Sequence, residues 1–245
     1  FSLRAFYWLG QGHFNLRTGK AGSGIDPTTG LPFPAGNSTL PTLGDTNKNT
    51  PGAMITFPAG KYNRLEVSFF QAQGNGTSTA PQNLSFFGQN ISSGDFLSTS
   101  FRVRNLKAAW NYLTWPEPPE TARLRIHTLW EFQYTSVQSV IDAPYETSAN
   151  FTPAVGTLNI FYPSLGVEAE YAASKHFYFD SRISGFAFPH RAVIWDGEAS
   201  GVVRFGHIEV FGGIKAYHLK TSPQGEEYIN GTMQGPYGGL RYVLR

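Results

Sequence analysis

The chain has 245 residues, with 19 Lys plus Arg against 17 Asp plus Glu, a formal charge of +2 and no cysteine. The near-neutral balance gives no basic footprint for nucleic acid. The missing thiols exclude disulfides, thiolate catalysis and Cys-ligated metals. Only 15% of residues are charged, against about 25% in ordinary soluble domains, while aromatics are also 15% and Gly and Pro number 27 and 16. No apolar run approaches the roughly 18 residues a membrane helix requires.

Side-chain alternation with period two dominates the chain, which reads as strands with opposite faces of opposite polarity. Residues 1–16 form the first strand, and the opening FSLRAFYWLG is already structural, so an export leader is expected to have been removed. Gly19–Pro51 reads as a long loop whose IDPTTGLPFPAGNSTLP stretch precludes regular structure. A loop of that length is expected to fold over a mouth or contact a partner, with Leu31 and Phe33 as anchors. Ala53–Gly60 returns as a strand. Arg64–Gln71 then sets Leu65, Val67 and Phe69 against Arg64, Glu66 and Ser68.

After a loop at Gly74–Gly94, Leu97–Arg104 places Leu97, Phe101 and Val103 against Arg102 and Arg104. The pattern continues to Trp115 with Leu106, Ala108, Trp110 and Tyr112 on the apolar face. The apolar phase slips by one residue near Asn105, which predicts a β-bulge there. Ala122–Tyr134 gives the clearest alternation: Leu124, Ile126, Trp130, Phe132 and Tyr134 oppose Arg123, Arg125, His127, Glu131 and Gln133. A loop at Ile141–Gly156 precedes Leu165–Tyr171, which carries Glu168 and Glu170. Phe177–Phe188 carries Asp180 and Arg182, Trp195–Phe205 carries Asp196, Glu198 and Arg204, Ile208–His218 carries Glu209 and Lys215, and a last strand ends in Arg241 and Leu244.

Connections alternate in length. Those at 61–63, 116–120, 173–176 and 206–207 are short. Those at 19–51, 74–94, 141–156, 189–194 and 222–229 are longer. Turns therefore gather at one rim and loops at the other, and about ten strands bring both termini to the turn rim. The resulting fold class is all-β, an antiparallel up-and-down barrel spanning residues 1–245.

This pattern resembles the bacterial outer-membrane β-barrels, which have an even strand number, short periplasmic turns, long extracellular loops, an apolar outer band and a polar lumen. Tyr7, Trp8, Trp110, Tyr112, Trp115, Tyr134, Tyr171 and Tyr242 suit interfacial girdles. The ending Tyr242-Val243-Leu244-Arg245 departs from the terminal aromatic usual in that class. The resemblance implies a location in the bacterial outer membrane, contact with its lipid, a possible surface or periplasmic protein partner, and no nucleic acid.

The expected lumen list is the chemically informative feature: Arg4, Arg64, Arg102, Arg104, Arg123, Arg125, Arg182, Arg204, Lys215 and Arg241, with Glu66, Glu131, Glu168, Glu170, Asp180, Asp196, Glu198 and Glu209. Buried charges must pair, so near-equal numbers predict an ion-pair network that plugs the barrel. A narrow path for small anionic solutes is the alternative, with Arg102, Arg104, Arg123 and Arg125 as its anion-preferring stretch. A membrane-embedded hydrolase of omptin type is a further alternative, for which His190 and Asp196 on one short loop are the candidate pair. The stronger expectation is that the chain is no enzyme. No metal-spaced cluster appears, and no cofactor is expected.

Overall fold

The computed structural model describes residues 1–18, 39–44, 47–116, 122–145, 152–188, 192–222 and 227–244. Thirteen strands run in chain order: β1 Ser2–Thr18, β2 Thr39–Leu43, β3 Asn47–Pro58, β4 Asn63–Thr79, β5 Leu84–Phe86, β6 Gln89–Ile91, β7 Phe96–Trp115, β8 Leu124–Asp142, β9 Ala154–Ala172, β10 Phe177–Phe188, β11 Ala192–Phe205, β12 Ile208–Lys220 and β13 Glu227–Val243. Among the described residues there is no helix. Ten of the strands pair antiparallel in the order β1-β3-β4-β7-β8-β9-β10-β11-β12-β13, and β13 pairs back on β1 to close the barrel. Closure leaves the ten-stranded barrel without an edge, which is what allows strands to cross a bilayer. Both termini lie at the short-turn rim, where Ser2 faces Val243.

The seam is tight. A Cβ on Gly239 would stand 2.0 Å from the Ala5 carbonyl oxygen, so only glycine lets β1 and β13 approach there.

The strands are longer than a membrane needs. β7 has 20 residues and β8 has 19, about twice the 9–11 that a tilted strand uses to span. The excess lies toward the loop rim, and there the polarity of the barrel inverts. In register across β4, β7, β8 and β9, Phe69, Leu106, Tyr134 and Phe161 form one outward row, all exposed. The next outward row is Gln71, Arg104, Ser136 and Asn159, and the one after is Gln73, Arg102, Gln138 and Thr157. Below this boundary the barrel is apolar outside and charged inside. Above it the outside is polar, and the inside holds Phe14, Leu16, Leu97, Phe101, Val103, Val137 and Ile141.

This inversion corrects three expectations. There is no bulge at Asn105: β7 stays in register through it with both β4 and β8, and the irregularity in pairing falls at Leu113/Trp115. The apolar phase slips because the surroundings of the strand change from lipid to water, while the side-chain alternation is unbroken. Arg102 and Arg104 consequently face outward and are exposed, while Leu97, Phe101 and Val103 face the lumen. Trp8, expected in a girdle, is fully buried inside the barrel against Phe70, with ring centroids 6.0 Å apart.

The loop boundaries move for the same reason, since strands continue into segments read as loops. β4 extends to Thr79, β8 to Asp142, and β9 starts at Ala154. Within the expected loop Gly19–Pro51, residues 39–43 form β2, which pairs with the end of β1, and β3 begins at Asn47. The proposed anchors Leu31 and Phe33 lie outside the described residues. Between β10 and β11 only residues 189–191 intervene, so that connection is short rather than long.

The β5–β6 hairpin between β4 and β7 folds over the loop rim. Its Leu84, Phe86 and Ile91 are buried in the apolar core. At its tip Phe87 adopts φ 50°, and its N–H donates to the Glu227 carboxylate across the barrel at 2.8 Å. A Cβ on Gly156 would lie 2.1 Å from the Phe87 ring. Gly156→Val should therefore lever the hairpin off its seat, read as faster chymotrypsin cleavage between residues 84 and 91 than in the unsubstituted barrel. Equal cleavage rates would show that the ring has room to move aside.

Candidate functional site: the charged lumen

The lumen is ordered in layers, and each layer follows from the parity of the strands that line it. At the short-turn mouth, Arg204 Nε donates to Glu209 at 2.6 Å, and Arg241 reaches the same carboxylate at 3.3 Å. The Tyr178 hydroxyl donates to Glu209 at 2.6 Å and accepts from Arg241 at 2.9 Å. Asp180 lies 3.9 Å from Arg241, and Arg125 pairs with Glu170 at 3.1 Å. A cavity of about 300 Å³ opens among these groups.

One layer deeper, Arg182 donates to both Glu66 and Glu168, the latter at 2.6 Å. Arg64 reaches Glu168 at 2.6 Å from the other side. The Asn111 amide donates to Glu66 at 3.0 Å and Glu168 at 2.8 Å, and its carbonyl oxygen lies 2.7 Å from His127 Nδ1. Alongside, Glu198 accepts from Arg4 at 3.1 Å and Lys215 at 2.6 Å. The Arg4 guanidinium also stacks 4.0 Å above the Phe211 ring.

Above this the charge thins to one cation. Lys107 Nζ contacts both oxygens of Asp196 at 2.7 and 2.8 Å, Glu131 at 3.3 Å and the Ser184 hydroxyl at 3.1 Å. A small pocket of about 20 Å³ lies against Phe70, Asn105, Lys107 and Asp196. Next comes a neutral layer. The Asn105 amide donates to Gln133 at 3.1 Å and Thr135 at 2.9 Å, and the Tyr162 hydroxyl donates to Gln133 at 3.0 Å. Beyond it the apolar core begins at Phe70 and Tyr217, whose rings meet edge to face.

The barrel interior thus brings together Arg4, Arg64, Arg125, Arg182, Arg204, Lys215 and Arg241 with all eight expected carboxylates. It does not include Arg102 and Arg104, which face outward, or Arg123, which is exposed ahead of β8. Of the expected anion-preferring stretch, only Arg125 faces the lumen. Sequence reading missed Lys107, the cation at the waist, because it stands between Leu106 and Ala108 in a segment read for its apolar face. It also missed the hydroxyl and amide groups of the neutral layer, which carry no charge signal.

Of the candidate hydrolase pair, only Asp196 lies among the described residues. Asp196 belongs to β11, faces inward and is held by Lys107 and Ser184. His190 lies outside the described residues. His127, Glu168 and Glu170 offer ligand atoms within 4.8 Å of one another, a cluster not visible in the sequence because β8 and β9 bring it together. Its centre is taken by the Arg64 guanidinium, 2.6 Å from Glu168, 3.2 Å from His127 Nδ1 and 3.9 Å from Glu170. The cation there is a side chain of the protein itself.

Below the polarity boundary the exterior is a continuous apolar band edged by aromatics. Phe57, Tyr112, Trp115, Tyr171, Phe205 and Tyr242 stand at the turn side, and Tyr134 and Phe161 at the loop side. Exposure of this much aromatic surface is stable only against lipid. The chain has the fold of a bacterial outer-membrane β-barrel. The outer membrane protease OmpT from Escherichia coli shares this fold at 10% identity and a TM-score of 0.60, over 99% of this chain and 96% of that one. Two other outer-membrane barrels align with lower scores. The transport unit of the autotransporter AIDA-I from Escherichia coli has 9% identity and a TM-score of 0.44, over 99% and 90% of the two chains. Ail, the attachment invasion locus protein of Yersinia pestis, has 8% identity and a TM-score of 0.40, over 98% of each. No family model and no curated protein matches the chain in sequence. In such a barrel the short-turn rim is periplasmic and the loop rim extracellular.

Proposed function

We propose that this barrel is a closed, non-catalytic outer-membrane protein that acts through its extracellular end, as an interaction module for a partner at the cell surface. The observation that carries the reading is the buried ion cluster at the waist, where Lys107 is held between Asp196 and Glu131 with the neutral layer and the apolar core above it. A hydrated ion needs a continuous polar path, and above the neutral layer the apolar core under the β5–β6 hairpin lines the lumen with Phe14, Leu16, Leu97, Phe101 and Val137. The protruding half of the barrel is a rigid, solid-cored stem that carries the extracellular loops well clear of the lipid, which suits contact with a surface partner.

The narrow-channel alternative draws on the periplasmic cavity of about 300 Å³. It requires that Lys107 leave both Asp196 and Glu131. The hydrolase alternative draws on a likeness of fold, and its candidate carboxylate Asp196 is already neutralised by Lys107.

Two measurements test the proposal. In planar bilayers the refolded full chain should give no steady ohmic current. A steady current whose ion preference changes in Arg125→Glu would defeat the closed lumen and favour the channel. Cells displaying the barrel should adhere to a second surface more than cells lacking it, and protease shaving of the loops should remove the difference. Adhesion that is the same with and without the barrel would defeat the interaction reading.

A further inference from the structure

The lumen ends at the short-turn rim in a cavity of about 300 Å³, lined by six arginines and five carboxylates. Lys107 is held between Asp196 and Glu131 farther in, so the cavity faces the periplasm. The two signs are nearly balanced in number but unequal in exposure. The Arg64, Arg125 and Arg204 side chains are 31%, 38% and 37% exposed. Those of Glu66, Glu168 and Glu209 are 6%, 5% and 1% exposed, and those of Glu170 and Asp180 are 15% and 14%. A solute entering from the periplasm therefore meets guanidinium first, with the carboxylates behind.

The carboxylates hold these cations in place. Arg64 and Arg125 share Glu170, at 3.9 and 3.1 Å. Arg204 and Arg241 share Glu209, at 2.6 and 3.3 Å. Each acid anchors two guanidinium groups from different strands, so the forks are ordered before any ligand arrives and less entropy is lost on binding. The turns around the mouth add charge of the same sign. Among the described residues of the short connections at this rim, the charged ones are Lys61, Arg123 and Lys175, all exposed. Such a rim draws anions toward the opening.

The placement of the three exposed arginines decides which anion fits. Arg64, Arg125 and Arg204 belong to β4, β8 and β11, no two of which are neighbours in the barrel, so they approach the cavity from different sides. A carboxylate offers two oxygens in one plane. A phosphate monoester offers three oxygens in three directions and carries nearly two negative charges at neutral pH, so it can take a fork from each side. The Ser2, Thr56 and Tyr178 hydroxyls also line the cavity, and they match a ligand body that bears hydroxyls of its own. The volume lies at the lower end of the range for ligand pockets, roughly 300–1,000 Å³, which suits a small molecule and leaves no room for acyl chains. We propose that the periplasmic mouth of this barrel is a binding site for a small, soluble, hydroxylated phosphate monoester, held by Arg64, Arg125 and Arg204. The site lies at the opposite rim from the extracellular loops and stands whether or not those loops meet a partner.

The test uses the full chain refolded in uncharged detergent micelles, with glycerol 3-phosphate as probe in phosphate-free buffer and binding read by titration calorimetry. Saturable binding of one probe per barrel is expected. Arg125→Gln/Arg204→Gln should weaken it by about tenfold or more, the loss of two charge-assisted forks, with heat-modifiable migration unchanged. Arg102→Gln, on the outer face near the loop rim, should bind like the unsubstituted barrel. Succinate, a dianion with planar ends, should bind several-fold more weakly than the probe, and glycerol should give no signal. If the glutamine variant fails to fold, Arg125→Lys/Arg204→Lys is measured in its place, which keeps the charge and removes the forks, and the same order of binding is expected. Absence of saturable binding to the unsubstituted barrel would overturn the proposal, as would equal affinity in the folded mouth variant. Succinate binding as tightly as the probe would overturn the choice of phosphate, and a loss in Arg102→Gln as large as in the mouth variant would place the binding elsewhere.

Discussion

Replacing Arg182 with methionine should destabilise the barrel by about 3–5 kcal/mol, the cost of breaking a buried pair by removing one partner. Arg182 is 9% exposed and is the guanidinium between Glu66 and Glu168. Without it, two carboxylates face each other across the lumen. Arg64 still holds Glu168, and the Asn111 amide still reaches both, but the cation left beside Glu66 is Arg64, at 4.0 Å. Methionine fills much of the volume, so the loss is electrostatic rather than a cavity. The measurement is the urea midpoint of the barrel refolded in micelles, followed by the loss of the fast-migrating unboiled form. Adding Glu66→Gln to Arg182→Met should recover part of the loss, because the unpaired charge is then gone. Arg123→Ala, in the exposed periplasmic turn, should stay within about 0.5 kcal/mol of the unsubstituted barrel. If Arg182→Met unfolds at the same midpoint as Arg123→Ala, the lumen network contributes little and water or lipid headgroups must reach the carboxylates.

A second large effect is expected on the outer face of β8, where the membrane boundary can be located residue by residue. Phe132→Arg should cost about 2–4 kcal/mol, because it puts a cation on the lipid face of the barrel. Gln138→Arg, on the same strand and the same face six residues farther on, should cost less than about 0.5 kcal/mol. Phe132 is 58% exposed and stacks on Phe161 with ring centroids 5.8 Å apart, whereas Gln138 lies opposite Arg102 in the polar row. The pair is measured by the same unfolding assay in lipid vesicles. Equal costs at the two positions would mean that the lipid boundary does not run between Tyr134 and Ser136.

The two outcomes bear on the same physical point. Along β7 and β8 the alternation of side chains is constant, but the meaning of apolar changes where the strand leaves the bilayer. Below the boundary an apolar residue is an outward residue, and above it an apolar residue is an inward one. A reading that holds one meaning for the whole strand needs a bulge at Asn105, and it sends Arg102 and Arg104 into the lumen. The same error shortened β4, β8 and β9, since strand ends in water carry the pattern of a soluble sheet.

The sequence by itself determined the strand class, the even count, the alternation of turn and loop rims, and the inward parity of the carboxylates and of most cations below the boundary. These follow from local rules: period-two alternation, turn residues, and the requirement that charge avoid lipid. Only the tertiary structure decided which cation meets which carboxylate, because Arg182 reaches Glu66 over 116 positions of chain and Lys107 reaches Asp196 over 89. It also decided that Trp8 turns inward, that the β5–β6 hairpin closes the mouth, and that Arg102 and Arg104 stand outside in a row of amides. Those facts depend on barrel closure, shear and the height of the lipid boundary, none of which is written in the spacing of residues along a single strand.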